Sequence, residues 1–235
     1  RQARRAGVAP PWPAEPDAPP APRAAEAQRP EARRLEADRP AHVYPLYENA
    51  LPAARGTTPA AEQARSAALW AGLSRVAAGR PAAWLRQPRE AGEILAAGPA
   101  NRLVAWPYPK LMTANPAVNQ GAAVLLTSLA RARALGLDAA RLVHLHGGAA
   151  AREPDDLLAR DGYGHCAALE AVLAEARALA GPRALDLVEL YSCFPCVPKL
   201  AMAALERAEE AAVSVAGVPA ESVSTSAETL GCARK

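Results

Sequence analysis

The chain has 235 residues, the size of one ordinary domain or of a domain with a tail. Aromatic residues make up only 4% of it, so a core has to be built mainly from Ala, Leu and Val. The formal net charge is +3, and nearly all of the positive charge is carried by arginine. The sequence lacks the basic stripe with interleaved aromatic residues that would indicate nucleic-acid binding. No apolar run reaches the ~20 residues that span a bilayer, and no N-terminal segment has the pattern of a signal peptide. We therefore expect a cytoplasmic protein with reduced cysteines.

The first half of the chain is predicted to contain a tail followed by helices and loops. Residues 1–41 are rich in Pro, Ala and Arg and nearly lack branched aliphatic side chains, so we expect a disordered tail, with a frayed helix within 23–39. Residues 42–120 are expected to form a helical and loop segment, which starts with a turn and a short helix over 42–56. A longer helix is predicted over 57–79, because Thr58 can cap it, Pro59 suits its first turn and Gly79 can end it. The proline-rich stretch 99–120 is predicted to be a loop.

From residue 121 to residue 217, apolar strand-like runs alternate with amphipathic helical patterns. This alternation predicts an α/β core in which a mixed sheet is covered by helices. The predicted strands cover 121–128, 141–149, 184–192 and 212–217, and the predicted helices cover 129–137, 161–181 and 196–211. Residues 218–235 lose the pattern, so we expect a disordered or out-of-frame end.

Cys193 and Cys196 form a Cys-x-x-Cys motif that allows three interpretations. A redox pair is one, because such pairs stand at a helix start where the thiol pKa falls. Half of a zinc site is another, but Cys166 and Cys232 are isolated and no second Cys-x-x-Cys occurs. The third is a pair of packing residues at the end of a strand.

His144 and His146 form a His-x-His motif on a predicted strand, where alternation places both side chains on one face. They could share a metal ion if His165 or one of the carboxylates Asp155 and Asp156 supplied a third ligand. No feature of the sequence requires this, so the pair is interpreted as the polar face of a strand and no metal is expected.

Several short stretches resemble the C-terminal half of thiolase-superfamily proteins, in the order in which they occur there. Gln120-Gly121-Ala122-Ala123-Val124 is similar to the motif through which a loop enters a strand in that family. "VYPLYENALPAARG", "NRLVAWPYPKLM" and "DLVELYSCFPCVPKLAM" resemble one branch more closely, the bacterial thiolase-like proteins usually labelled acetyl-CoA acetyltransferases. The resemblance runs from about residue 43 to residue 217 and implies a partial thiolase-like fold.

The resemblance implies roles for individual residues. In thiolases, the segment matching residues 188–194 ends a core strand beside the acyl thioester, and its Asn or His holds a water that polarises the thioester oxygen. Tyr191 stands at that position, and a tyrosine hydroxyl can donate a hydrogen bond to a developing oxyanion or act as an acid or base. The candidate catalytic residues are therefore Tyr191, Ser192 and Cys193, and the candidate substrate-binding residues are Lys110, Phe194 and His165.

Four thiolase features have no match in the chain: the segment of the nucleophilic cysteine, the histidine that activates it, the second catalytic cysteine, and the glycine-rich end of the related branch. The expectation is a truncated, inactive fragment whose sequence departs from the family after Gly217.

The resemblance implies a thiolase-type acyl-CoA acyltransferase that needs no cofactor, with the CoA thioester as its substrate. Two alternatives remain within the superfamily: a retro-aldol lyase on acyl-CoA, which needs no nucleophilic cysteine, and a non-catalytic subunit that binds acyl-CoA or a partner. The expected partners are acyl-CoA and either a second copy, as a homodimer, or a zinc-ribbon/OB-fold subunit. Neither nucleic acid nor a membrane span is expected.

Overall fold

The computed structural model describes residues 7, 28–83, 85–115, 123–182, 185 and 187–206. Within these residues the structure is mainly helical. The helices are α1 (Pro30–Arg34), α2 (Pro40–Arg55), α3 (Pro59–Ala78), α4 (Ala91–Leu95), α5 (Leu129–Ala134), α6 (Ala167–Ala180) and α7 (Cys196–Ala204). Short 3-10 turns cover Lys110–Met112, Ala139–Arg141 and Leu157–Ala159, and two strands, β1 (Leu103–Ala105) and β2 (Tyr108–Pro109), form one sheet. No helix of this described part is long and apolar enough to cross a membrane.

The boundaries of α3 confirm the local signals in the sequence. The Thr58 side chain accepts a hydrogen bond from the amide of Ala61, Pro59 occupies the first turn, and Gly79 follows the last residue. Helix α2 is longer than the short helix predicted, since it includes both Pro45 and Pro52, and Gly56 ends it with a φ of 65°. That left-handed conformation suits a residue without a Cβ atom.

The main core lies where α2 and α3 meet the hairpin and α7. Its buried side chains are large for a chain so rich in alanine, because the few aromatic residues are concentrated here. They include Tyr47, Leu51, Leu69, Trp70, Leu73, Ile94, Tyr108, Met112, Phe194, Leu200 and Met202.

The hairpin is the part of the predicted loop 99–120 that proves to be regular. Strands β1 and β2 pair antiparallel, with Leu103 opposite Pro109 and Ala105 opposite Tyr108. Asn101 fixes the hairpin to α4, because its side-chain amide donates to the carbonyls of Ile94 and Ala96 while its side-chain oxygen accepts from the amide of Leu111.

The predicted mixed sheet is not formed by the described residues. Of the four predicted strands, the described parts of 121–128, 141–149 and 184–192 carry no strand, and 212–217 lies outside the described residues. Leu125 and Leu126 are 101% and 78% exposed, so no neighbour among the described residues covers this apolar run. A strand forms only when another strand accepts its backbone hydrogen bonds, and an apolar run alone does not ensure this.

All three predicted C-terminal helices are present as α5, α6 and α7 within the described residues. Helix α6 has an amphipathic sequence pattern, but no residue of α6 is fully buried and Leu179 is 46% exposed. Helix α7 is buried along most of its length, from Cys196 to Met202.

Residues 28–41, which belong to the predicted tail of residues 1–41, pack against the turn at 155–157. The buried Gln28 side chain donates to the Asp155 carbonyl and accepts from the Leu157 amide, at 2.5 and 3.0 Å. Ala32 and Ala37 form a small second core with Leu157. Helix α1 is thus held by side-chain contacts that the composition of the segment did not reveal.

Candidate functional site

The Cys-x-x-Cys segment links an irregular stretch, residues 187–192, to the start of α7. The carbonyl of Cys193 accepts a hydrogen bond from the amide of Ala114 at 3.1 Å, and the Ser192 hydroxyl accepts one from the amide of Phe194 at 3.2 Å. These contacts fix the turn that carries Tyr191 and Cys193.

The side chains of Tyr191 and Cys193 form a half-buried polar pair. The Tyr191 hydroxyl lies 3.3 Å from the Cys193 sulfur, and either atom could donate the hydrogen. Ser192 is only 7% exposed, and its hydroxyl accepts a hydrogen bond from the amide of Phe194. The structure thus brings two of the three predicted catalytic residues together and gives the third a structural contact.

Tyr44 of α2 connects this pair to the core. Its ring stacks on Phe194 with the centroids 4.7 Å apart. Burial raises the pKa of the Tyr44 hydroxyl, and the nearby Cys193, Cys196 and Tyr191 raise it further. Tyr44 therefore stays protonated at neutral pH and can act only as a hydrogen-bond donor or acceptor.

A cavity of about 380 Å³ opens beside Tyr44, between α2, α6 and α7. Its walls are mostly apolar, and its polar lining includes Arg160, Asp38 and Cys166. The remaining lining residues are Pro40, Val43, Tyr47, Leu169, Val197 and Leu200.

Arg160 is held in the cavity wall by its own partners. Its guanidinium lies 3.2 Å from the Glu153 carboxylate and donates to the Tyr47 hydroxyl. Burial raises the pKa of Tyr47 to about 12, although the hydrogen bond from Arg160 opposes this rise. The charges of Arg160 and Glu153 compensate each other, so the wall carries little net charge at this point.

The predicted substrate-binding residues lie in three different settings. Phe194 is a core residue, 5% exposed between the rings of Tyr44 and Tyr108. Lys110 is half-buried at the start of a 3-10 turn, where its amide donates to the Arg102 carbonyl. His165 is exposed just before α6, with its Nδ1 atom 3.7 Å from the Glu170 carboxylate.

The described thiols Cys166, Cys193 and Cys196 are free. Cys196 is completely buried at the start of α7, and burial raises its thiol pKa to about 12. The raised pKa keeps the Cys196 sulfur protonated near neutral pH and makes it a poor nucleophile. Desolvation here outweighs the favourable position at a helix start.

His144 and His146 are both exposed, and the described part of the chain holds no group of three His, Cys, Asp or Glu residues placed to bind a metal ion.

A buried ionic network, which the sequence interpretation missed, anchors α7 to α2 and α3. The Lys199 ammonium is 0% exposed and lies 2.6 Å from Glu48 and 3.1 Å from Glu62. The hydroxyls of Ser66 and Tyr108 donate to Glu48 at 2.8 and 2.9 Å. The only available signal was a lysine within the apolar pattern of "CVPKLAM".

Comparison with known proteins shows a similarity to a solved structure. No family model matches the chain, and no curated protein matches it. The crystal structure of a monomeric SCP2-thiolase like protein of type 1 from Mycobacterium smegmatis matches with 35% sequence identity and a TM-score of 0.68. The match covers 75% of this chain and 40% of that protein, so this chain spans well under half of its length. The matched part of the chain therefore has a thiolase-like fold.

Proposed function

We propose that this chain forms the acyl-thioester-binding side of a thiolase-type acyl-CoA acyltransferase, similar to the acetyl-CoA acetyltransferases. The observation that carries the proposal is the half-buried Tyr191–Cys193 pair in a chain that resembles an SCP2-thiolase-like protein. The next residue, Phe194, stacks on Tyr44, which lines an apolar cavity. Acyl transfer is proposed for the whole protein, because the chain spans only 40% of its structural relative.

Tyr191 is proposed to hydrogen-bond the thioester oxygen of the substrate. Negative charge develops on that oxygen when a nucleophile adds to the carbonyl, or when an enolate forms at the neighbouring carbon. A fixed hydroxyl donor stabilises this charge more than it stabilises the neutral ground state. The contact with Cys193 keeps the Tyr191 hydroxyl in place.

Two of the described thiols, Cys166 and Cys196, are poor nucleophiles, and a second candidate function needs no nucleophilic thiol. Burial raises the pKa of both Cys166 and Cys196, so neither is a thiolate nucleophile near neutral pH. A retro-aldol lyase needs no thiolate: a base removes the 3-hydroxyl proton, the C2–C3 bond breaks to release a carbonyl compound, and an acid protonates C2 of the remaining thioester. Tyr191 would stabilise the enolate oxygen in that reaction too. A non-catalytic subunit would only bind the acyl-CoA.

Two measurements test the proposal and separate these candidates. Calorimetric titration with butyryl-CoA should show one binding site in the chain and weaker binding in Tyr191→Phe. Tyr163→Phe is the matched control, because it also removes a phenol, one that hydrogen-bonds to the Leu157 carbonyl instead. Equal affinity of wild type and Tyr191→Phe would refute the role of Tyr191, and absence of binding would refute the proposed function.

Activity assays on the whole protein that contains this chain then distinguish the reactions. Thiolysis of acetoacetyl-CoA would support the acyltransferase, and release of a carbonyl compound from a 3-hydroxyacyl-CoA would support the lyase. Binding without either reaction would support the non-catalytic subunit.

A further inference from the structure

The cavity beside Tyr44 is formed by side chains of three helices. Val43 belongs to α2, Leu169 to α6, and Val197 and Leu200 to α7. Small-molecule sites are typically concave, largely apolar and between about 300 and 1,000 Å³ in volume. At about 380 Å³, this cavity lies within that range.

The cavity begins next to the proposed thioester contact. Tyr44 lines it, and Cys193 and Tyr191 are close enough to Tyr44 to raise its pKa. Phe194, which follows Cys193 in the sequence, stacks its ring on Tyr44 with the centroids 4.7 Å apart. A ligand whose carbonyl meets Tyr191 can therefore extend its remaining atoms along Tyr44 into the cavity.

The charges around the cavity indicate which kind of group fits. Arg160 is neutralised by Glu153 and hydrogen-bonded to Tyr47, while Asp38 would repel an anion. A phosphate or carboxylate would thus gain little, whereas an uncharged alkyl chain would bury its surface against Val43 and Leu169.

We propose that this cavity binds the alkyl chain of the acyl group, so that the preferred substrate is a medium-chain acyl thioester. The proposal rests on the proposed function and specifies its substrate class. At about 380 Å³ the cavity has room for roughly eight to twelve carbons, since a methylene group is about as large as the ~30 Å³ that a water molecule occupies in the liquid. Leu169 is then a specificity-determining residue.

The test is a calorimetric titration of the chain with saturated acyl-CoAs of increasing length, from acetyl-CoA to tetradecanoyl-CoA. Each methylene that enters the cavity should lower Kd by up to about fourfold, and the gain should stop once the cavity is full. Leu169→Trp should shorten the chain length at which the gain stops. Leu169→Ala should lengthen it.

Leu129→Trp is the control, because it adds the same indole at an exposed position of α5 that does not line the cavity. Far-UV circular dichroism confirms that each variant is folded. If acetyl-CoA binds but Kd does not change with chain length, or changes equally in wild type and both Leu169 variants, the inference is wrong and the proposed function stands. If no acyl-CoA binds, the proposed function fails and the inference fails with it.

Discussion

Replacement of Lys199 by methionine should destabilise the chain strongly, because it removes the cation from a buried carboxylate. Glu48 is 2% exposed, and Lys199 is its cationic partner among the described residues, while Ser66 and Tyr108 contribute only hydroxyls. Glu62 is different, since it keeps ion pairs with Arg55 and Arg65. The loss of stability in Lys199→Met should therefore come mainly from the Glu48 carboxylate, which is left buried without a cation.

Removing one partner of a buried ion pair typically costs about 3–5 kcal/mol. Methionine keeps most of the apolar length of lysine, so little of this cost should come from lost packing. The loss is large compared with the roughly 5–15 kcal/mol by which a domain is stable. If the stranded carboxylate causes it, the double variant Glu48→Gln/Lys199→Met should recover about 2 kcal/mol or more, because no charge is then buried without a partner.

Urea unfolding followed by circular dichroism at neutral pH measures these differences, provided that the slopes are equal. Arg152→Met is the control: it removes an exposed ion pair with Asp155 and should cost less than about 1 kcal/mol. A Lys199→Met variant within about 1 kcal/mol of wild type, or a double variant no more stable than the single one, would refute this reasoning.

Three further predictions concern other contacts. Burial alone would raise the pKa of the Glu62 carboxyl, but Lys199, Thr57 and Arg55 outweigh this effect and lower the pKa. The stability that the ionised carboxylate contributes is therefore fully present above about pH 4.3 and is lost as the pH falls below that value. As the pH is lowered, the urea midpoint should fall less in Glu62→Gln than in the wild type. Gln28→Ala should speed hydrogen exchange at the Leu157 amide and leave the core amides unchanged, and equal exchange in both proteins would contradict this. Cys196 should resist alkylation by iodoacetamide at pH 8 until urea unfolds the chain, and rapid labelling of the native chain would show that it is not buried.

Signals that act within a few residues predicted the helices well. Helix α3 begins after Thr58 and ends before Gly79, as expected. Caps could be predicted because a capping side chain contacts backbone groups only a few residues away in the sequence. The strands were harder to predict, since the runs around Leu125 and Val143 are apolar but exposed in the described structure. Pairing requires a distant segment, and local composition does not contain that information.

The candidate site could be predicted only in part. Tyr191 and Cys193 came from a family resemblance, and the structure places them in contact. Tyr44 and Arg160, which line the adjacent cavity, were not predicted, because they are separated by more than a hundred residues and meet only through the packing of α2. The buried ionic network around Lys199 was missed for the same reason.

The most direct test of the account is carbon NMR of octanoyl-CoA labelled with ¹³C at the thioester carbonyl. A hydrogen bond from Tyr191 polarises that carbonyl, so its resonance should move downfield on binding to the wild-type chain. The movement should be absent or much smaller in Tyr191→Phe and unchanged in Tyr163→Phe. An equal downfield shift in wild type and Tyr191→Phe, at full occupancy of both, would contradict the assignment of the thioester to Tyr191.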